Sequence, residues 1–316
     1  MAMNRYGDGC SSIINIKSLK MKINNIYILF FLILSMTVVN LSAQQDPNYT
    51  FYRYNMNLIN PAFAGASETT NLSLNVRSQW AGIQGAPETQ SLVFGTAVGK
   101  NVGVGLSVVN DKTFVESQTS FCMDFSYKLK LNESNNLYFG LKGGFTSYDV
   151  NTEGLVTYGI GQDMSLMNID GRFNPNVGVG VYLKNEKYFV SLSVPKMLTP
   201  DRLEQNDGLA RLGVDKTHVY LAGGYDFSLS ENVIFKPTAL LRYVDASPIS
   251  LDLTGLVEFN NRIDLGAAYR LNESISGIFI FKTGWLDIGY AYEVATENPI
   301  KNSDNGTHEI LMHLQF

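Results

Sequence analysis

Any catalysis or metal binding in this chain would rest on very few side chains. Its three histidines are His218, His308 and His313, and no two of them stand at a metal-ligand spacing. Asp215 lies near His218 and Glu309 follows His308. Either pair could serve a hydrolase only if folding brought a serine beside it, and both read more simply as loop and strand-end polar residues. Cys122 has no partner once Cys10, in a segment expected to be removed, is set aside; it reads as a packed thiol in the middle of a strand. The glycines of Val177-Gly-Val-Gly-Val181 are no phosphate cradle, because no helix follows them. Asn168-Ile-Asp-Gly-Arg172 faintly resembles a calcium loop but lacks further acidic ligands at alternate positions. No enzyme, cofactor or metal is expected.

The elements that carry these residues are strands. Ile310, Met312, Leu314 and Phe316 fall on one face of the C-terminal stretch, with Glu309, His313 and Gln315 on the other. The same period of two recurs near 70–78, 89–98, 101–109, 118–130, 136–148, 175–184, 187–194, 217–228, 232–244, 249–258, 261–271, 274–282, 285–294 and 306–316. Thr119, Phe121, Met123, Phe125, Tyr127 and Leu129 would face one way; Ser120, Cys122, Asp124, Ser126, Lys128 and Lys130 the other. Charged residues repeat on that second face at Lys142, Asp226, Lys236, Arg242, Asp252, Glu258, Asp264, Arg270, Asp287 and Glu293, with glycines among them.

A soluble sandwich would alternate in the same way. Strands of about ten residues match a tilted bilayer crossing. Their number is even, as in bacterial single-chain barrels. Aromatics gather at strand ends on the apolar face: Tyr127, Phe227, Tyr243, Phe259, Tyr269, Tyr292 and Phe316. The expected fold is therefore an all-β, transmembrane antiparallel β-barrel of about 14 strands in the outer membrane, in contact with its lipid. No internal sequence repeat exceeds the hairpin rhythm. Short connections at 99–101, 132–135, 184–187, 228–231 and 260–261 belong to the periplasmic side, and longer links at 79–88, 110–117, 149–174, 195–216 and 295–305 to the outside. The short Leu271–Ser274 turn also falls outside. Pro237 removes a ladder donor, so an irregularity is expected there.

Lys17, Lys20 and Lys22 precede an apolar run from Ile26 to Val39, too short to cross a membrane as a helix, followed by Leu41-Ser-Ala43. Residues 1–43 read as a cleavable signal peptide, with residues 1–20 an over-called start before Met21. Residues 44–69 form an aromatic N-terminal segment, either plug-like in the lumen or lying at the periplasmic rim, and 70–316 form the barrel. The formal charge of −5 without a basic block gives no reason to expect nucleic acid.

Gln44-Gln-Asp-Pro47, Asn60-Pro-Ala-Phe-Ala-Gly65, Arg77-x-Gln-Trp80 and Gly85-Ala-Pro-x-Thr-Gln90 resemble the N-terminal signature of the PorP/SprF family. The resemblance runs on through Asn174–Gly180, Leu192-Ser-Val-Pro195, Gly289-Tyr-Ala-Tyr292 and His308-Glu-Ile310, across the whole chain after the signal. It implies a Bacteroidetes outer-membrane component of the type IX secretion and gliding-motility apparatus. Its implied partners are other secretion components and a large secreted protein with a C-terminal sorting domain, such as a surface adhesin. On that reading the outer loops carry recognition. Arg77, Gln79, Trp80 and Pro87 are candidates in the first loop, and Tyr158, Met164 and Phe173 in the third. Trp80 would be the aromatic anchor and Arg77 its charged neighbour, or else Trp80 a girdle residue and Arg77 a lumen charge. A passive, porin-like solute channel is the alternative function, and an outer-membrane hydrolase a third.

Overall fold

The computed structural model describes residues 47–152, 169–198, 216–245, 247–296 and 305–316. The expected signal peptide, Tyr158 and Met164 lie outside them. Among the described residues fifteen strands are formed: β1 (Asn71–Ser78), β2 (Glu88–Val98), β3 (Val102–Thr113), β4 (Glu116–Lys130), β5 (Asn136–Val150), β6 (Ile169–Lys184), β7 (Tyr188–Val194), β8 (His218–Tyr225), β9 (Phe227–Ser230), β10 (Val233–Val244), β11 (Ser250–Phe259), β12 (Ile263–Arg270), β13 (Ser274–Lys282), β14 (Leu286–Ala295) and β15 (Thr307–Gln315). Each pairs antiparallel with its neighbours, β10 pairs with β11, and β1 pairs with β15, which closes the sheet. β8 and β9 are two pieces of one stave, since both pair with β10, so the wall is a closed barrel of 14 staves.

Alternation fixes which face meets lipid. Met123, Phe125, Tyr127 and Leu129 of β4 are exposed outward, while Ser120, Asp124 and Ser126 are buried inward. The strand-end aromatics Tyr127, Phe227, Tyr243, Phe259, Tyr269, Tyr292 and Phe316 all stand on the outer surface, as an interfacial girdle requires. Closure is registered by the last strand: Ser73 faces His313, Asn75 faces Leu311 and Arg77 faces Glu309 across the β1–β15 seam.

The expected irregularity at Pro237 falls on the neighbouring stave. Thr238 still pairs with Gly224 and Phe235 with Phe227, but the ladder opens between them and β8 ends at Tyr225. A residue without an N–H cannot bridge that step. A further register shift lies at Val233/Ile234. The link expected over 110–117 is instead a tight hairpin, because β3 runs to Thr113 and β4 starts at Glu116. Strands β4, β5 and β6, of 15, 15 and 16 residues, are longer than a bilayer crossing needs.

Candidate functional site

The lumen contains the chain's own N-terminal residues. Helix α1 (Met56–Ile59) and a 3-10 turn at Pro61–Phe63 lie inside the ring of strands, and Phe51, Tyr52, Met56, Ala62, Ala64 and Ala66 are buried. Asn60-Pro suits such a turn: Pro61 occupies the first helical position, and the Asn60 Oδ1 accepts from the Ala62 N–H at 2.9 Å.

A backbone placed inside a barrel must find its hydrogen bonds there, because little water reaches it. The wall supplies them. Glu309 accepts from the N–H groups of Thr50 (2.9 Å) and Phe51 (3.3 Å). Lys142 Nζ donates to the Asn57 carbonyl at 3.0 Å and pairs with Asp124 at 2.8 Å. Ser193 Oγ donates to the Ile59 carbonyl at 2.6 Å, Ser126 Oγ to that of Ala64, and Lys184 Nζ to that of Ala66 at 2.6 Å. Asn60 Nδ2 reaches Ser191 Oγ at 2.7 Å and the Val181 carbonyl at 3.0 Å. The Tyr52 hydroxyl donates to Thr238 Oγ1 at 2.7 Å, and Arg53 pairs with Asp226 at 2.8 Å.

Glycines on the wall make the room. A Cβ at Gly103 would stand 2.0 Å from the Ala64 carbonyl oxygen, one at Gly140 2.0 Å from the Ala62 nitrogen, and one at Gly180 2.0 Å from Asn60 Oδ1. Gly65 of the segment, at φ +71, in turn lies against Gly103 and Ala97 of the wall. The glycines of the second face, legible in the sequence only as a crowded inner surface, form the groove in which Asn60-Pro-Ala-Phe-Ala-Gly65 lies.

Arg77 is the charged centre of this arrangement. It is 1% exposed, on β1, and its guanidinium pairs with Glu309 and Glu293 at 2.9 Å each while donating to Thr50 Oγ1 at 3.2 Å. The expectation that Arg77 is an outer-loop contact is therefore corrected: it is a lumen charge, held by two carboxylates and unable to reach a partner outside. Phe173 is corrected as well. It lies in β6 opposite Ser147, faces outward at 66% exposed, and packs against Phe145, which stacks on Phe121. That makes it one of a row of outward aromatics on the wall.

Gln79, Trp80 and Pro87 lie in the link between β1 and β2, all half-buried. The Gln79 N–H donates to the Pro87 carbonyl at 2.9 Å and closes the loop at its base. Ala81 exchanges bonds with Gly306 (2.8 Å) and Asn305 (2.9 Å), and the Phe114 N–H of the β3–β4 hairpin donates to Gly85 at 2.9 Å. Trp80, at φ +48, donates its N–H to Thr307 Oγ1 at 3.3 Å. The loop is thus tied on both flanks, and its backbone geometry fixes where Trp80 sits.

Asp215 lies outside the described residues. His218 Nδ1 lies 3.3 Å from the Tyr220 hydroxyl, and His308 Nδ1 2.8 Å from that of Tyr290. The residue that does meet a serine is His313, whose Nδ1 is 2.7 Å from Ser73 Oγ. Both are buried across the seam, with the Tyr54 ring edge-on against the imidazole. At the rim with the short β4–β5 turn Lys128 bonds Glu68 and holds its carboxyl below the usual carboxylate range. Among the described residues, no group of three or more His, Cys, Asp or Glu side chains is placed to hold a metal ion.

The family model described as "Type IX secretion system membrane protein PorP/SprF" matches residues 41–314. No curated protein matches the sequence. Solved structures similar to the chain include the outer-membrane protein Omp33 of Acinetobacter baumannii, with a TM-score of 0.44 and 11% identity over 79% of this chain and 99% of that one. CdiB from Acinetobacter baumannii follows at 0.42, with 6% identity over 78% and 60%. A Pseudomonas aeruginosa FadL homologue stands at 0.41, with 12% identity over 86% and 94%.

Proposed function

We propose, from the premise that the chain belongs to the PorP/SprF family of type IX secretion system membrane proteins, that it is a closed outer-membrane anchor for a secreted protein, not a solute channel. The observation that carries this reading is the luminal segment. Residues 49–66 are bonded to the wall at both ends and along their length, and their backbone rests directly on Gly103 and Gly140 of two staves. A segment of that kind removes the aqueous path a passive channel needs. What remains available is the outward face: a tied first loop presenting Trp80, Gln79 and Pro87, with the β3–β4 hairpin beside it. Loops held by a rigid scaffold are suited to docking.

On this reading the partner is a large protein with a C-terminal sorting domain, held at the cell surface together with other secretion components. Affinity purification from native outer membrane in mild detergent, with mass spectrometry of what co-elutes, tests it. Recovery of a large protein bearing such a domain is expected. A barrel that elutes alone would overturn the reading.

A further inference from the structure

The luminal segment has a direction. Asn48 accepts from Arg242, two residues before the outer end of β10. Thr50 and Phe51 bond Glu309, near the outer end of β15. Further along, the Tyr54 hydroxyl donates to Asp264 at 3.2 Å, beside the short turn that joins β11 to β12. Ala66 and Glu68 then bond Lys184 and Lys128, next to the short β6–β7 and β4–β5 turns. From there the chain turns directly into β1. The segment therefore descends from the end with long links to the end with short turns. Its Asn48 end therefore stands at the mouth with the long links, and its Ala66 end at the rim from which β1 starts.

Pro47, at the upper end, lines a solvent-connected cavity of about 80 Å³ together with Val109, Asp111, Gln118, Pro195 and Lys196. These residues belong to the outer halves of β3 and β4 and to the start of the long link after β7. In bacterial barrels the long links are extracellular and the short turns periplasmic. We propose that Pro47 and this cavity open to the cell surface, so that the amino-terminal end of the luminal segment belongs to the outward docking face and not to the periplasmic one. Combined with the proposed function, this adds Pro47 and its cavity to the surface on which the secreted protein lands.

Sidedness is measurable without any partner, so its failure and the failure of the anchor reading can be told apart. In a Cys122→Ser background, Pro47→Cys and Thr69→Cys are each exposed to a membrane-impermeant maleimide, on intact cells and after the outer membrane is permeabilised. The expected result is labelling of Pro47→Cys on intact cells and of Thr69→Cys only after permeabilisation. No reaction at Pro47→Cys on intact cells, or reaction at Thr69→Cys there, overturns the proposal. If Pro47→Cys does not assemble, Lys196→Cys in the same Cys122→Ser background, at a residue that lines the same cavity, gives the readout: labelled on intact cells as expected, or labelled only after permeabilisation and against it.

Discussion

At the level of single residues, the fit between segment and wall depends on what is missing from side chains as much as on what is present. The atoms 2.0 Å from a Cβ at Gly140 are backbone, which cannot swing aside as the end of a long side chain would. Gly140→Val is expected to sharply lower the fraction of protein that keeps its folded mobility in unheated electrophoresis, with any folded remainder conducting. Charge is the second determinant. Glu309 is shared between Arg77, Asn75 and two backbone N–H groups. Removing one member of a buried pair strands the other, at a cost of about 3–5 kcal/mol. Glu309→Ala is expected to lower the temperature at which the folded band is lost, and Glu309→Gln to lower it less, because the amide oxygen still accepts from Thr50 and Glu293 still holds Arg77. Equal shifts for the two variants would mean that the acceptor bonds to the segment contribute nothing and the lost charge carries the whole effect. Arg77 stands at the end of the strand read near 70–78, one residue before β1 ends at Ser78, where period two alone leaves a loop contact and a lumen charge both open. Its two carboxylates come from β14 and β15, more than 200 positions away in the chain.

At the level of elements, period two made nearly every stave legible, because lipid on one side and a polar lumen on the other impose opposite chemistry on alternate residues. The signal failed where that contrast ends. The hairpin of β3 and β4 carries Asn110, Asp111 and Lys112 at its outer end, beyond the girdle, where both faces can be polar and the stretch reads as loop. The upper part of β6, which contains Gly171, also reads as loop, up to Pro175 where the expected strand begins. Pairing with β7 begins only at Val179, so Pro175 sits where β6 has no β7 partner to bond, and a proline is tolerated at such an edge. Phe173 was carried into the wrong class with it. The N-terminal element could be named from its aromatic content but not placed, since period analysis says nothing about a segment that matches a groove formed by other strands. Its removal gives the corresponding prediction. A chain lacking residues 49–66 that still assembles is expected to form steady conducting pores in a planar bilayer, because nothing else among the described residues crosses the lumen.

At the level of the whole molecule, the barrel is a wall built around its own amino-terminal chain, with the first and last strands meeting where that chain is most strongly bonded. Family membership gives the setting, the type IX secretion apparatus; the filled lumen is what separates an anchor from a pore within that setting. The docking reading makes its own prediction. Trp80→Ala is expected to leave folded mobility unchanged, since the ring stands on an outer loop, while reducing the co-purified secreted protein several-fold. Unchanged recovery of the partner would reduce Trp80 to a girdle residue. The most direct test of the account is the conductance of the purified, intact protein in a planar lipid bilayer. The account predicts silence, with no steady channel at moderate voltage. Long-lived open channels of uniform size would contradict it and restore the passive pore.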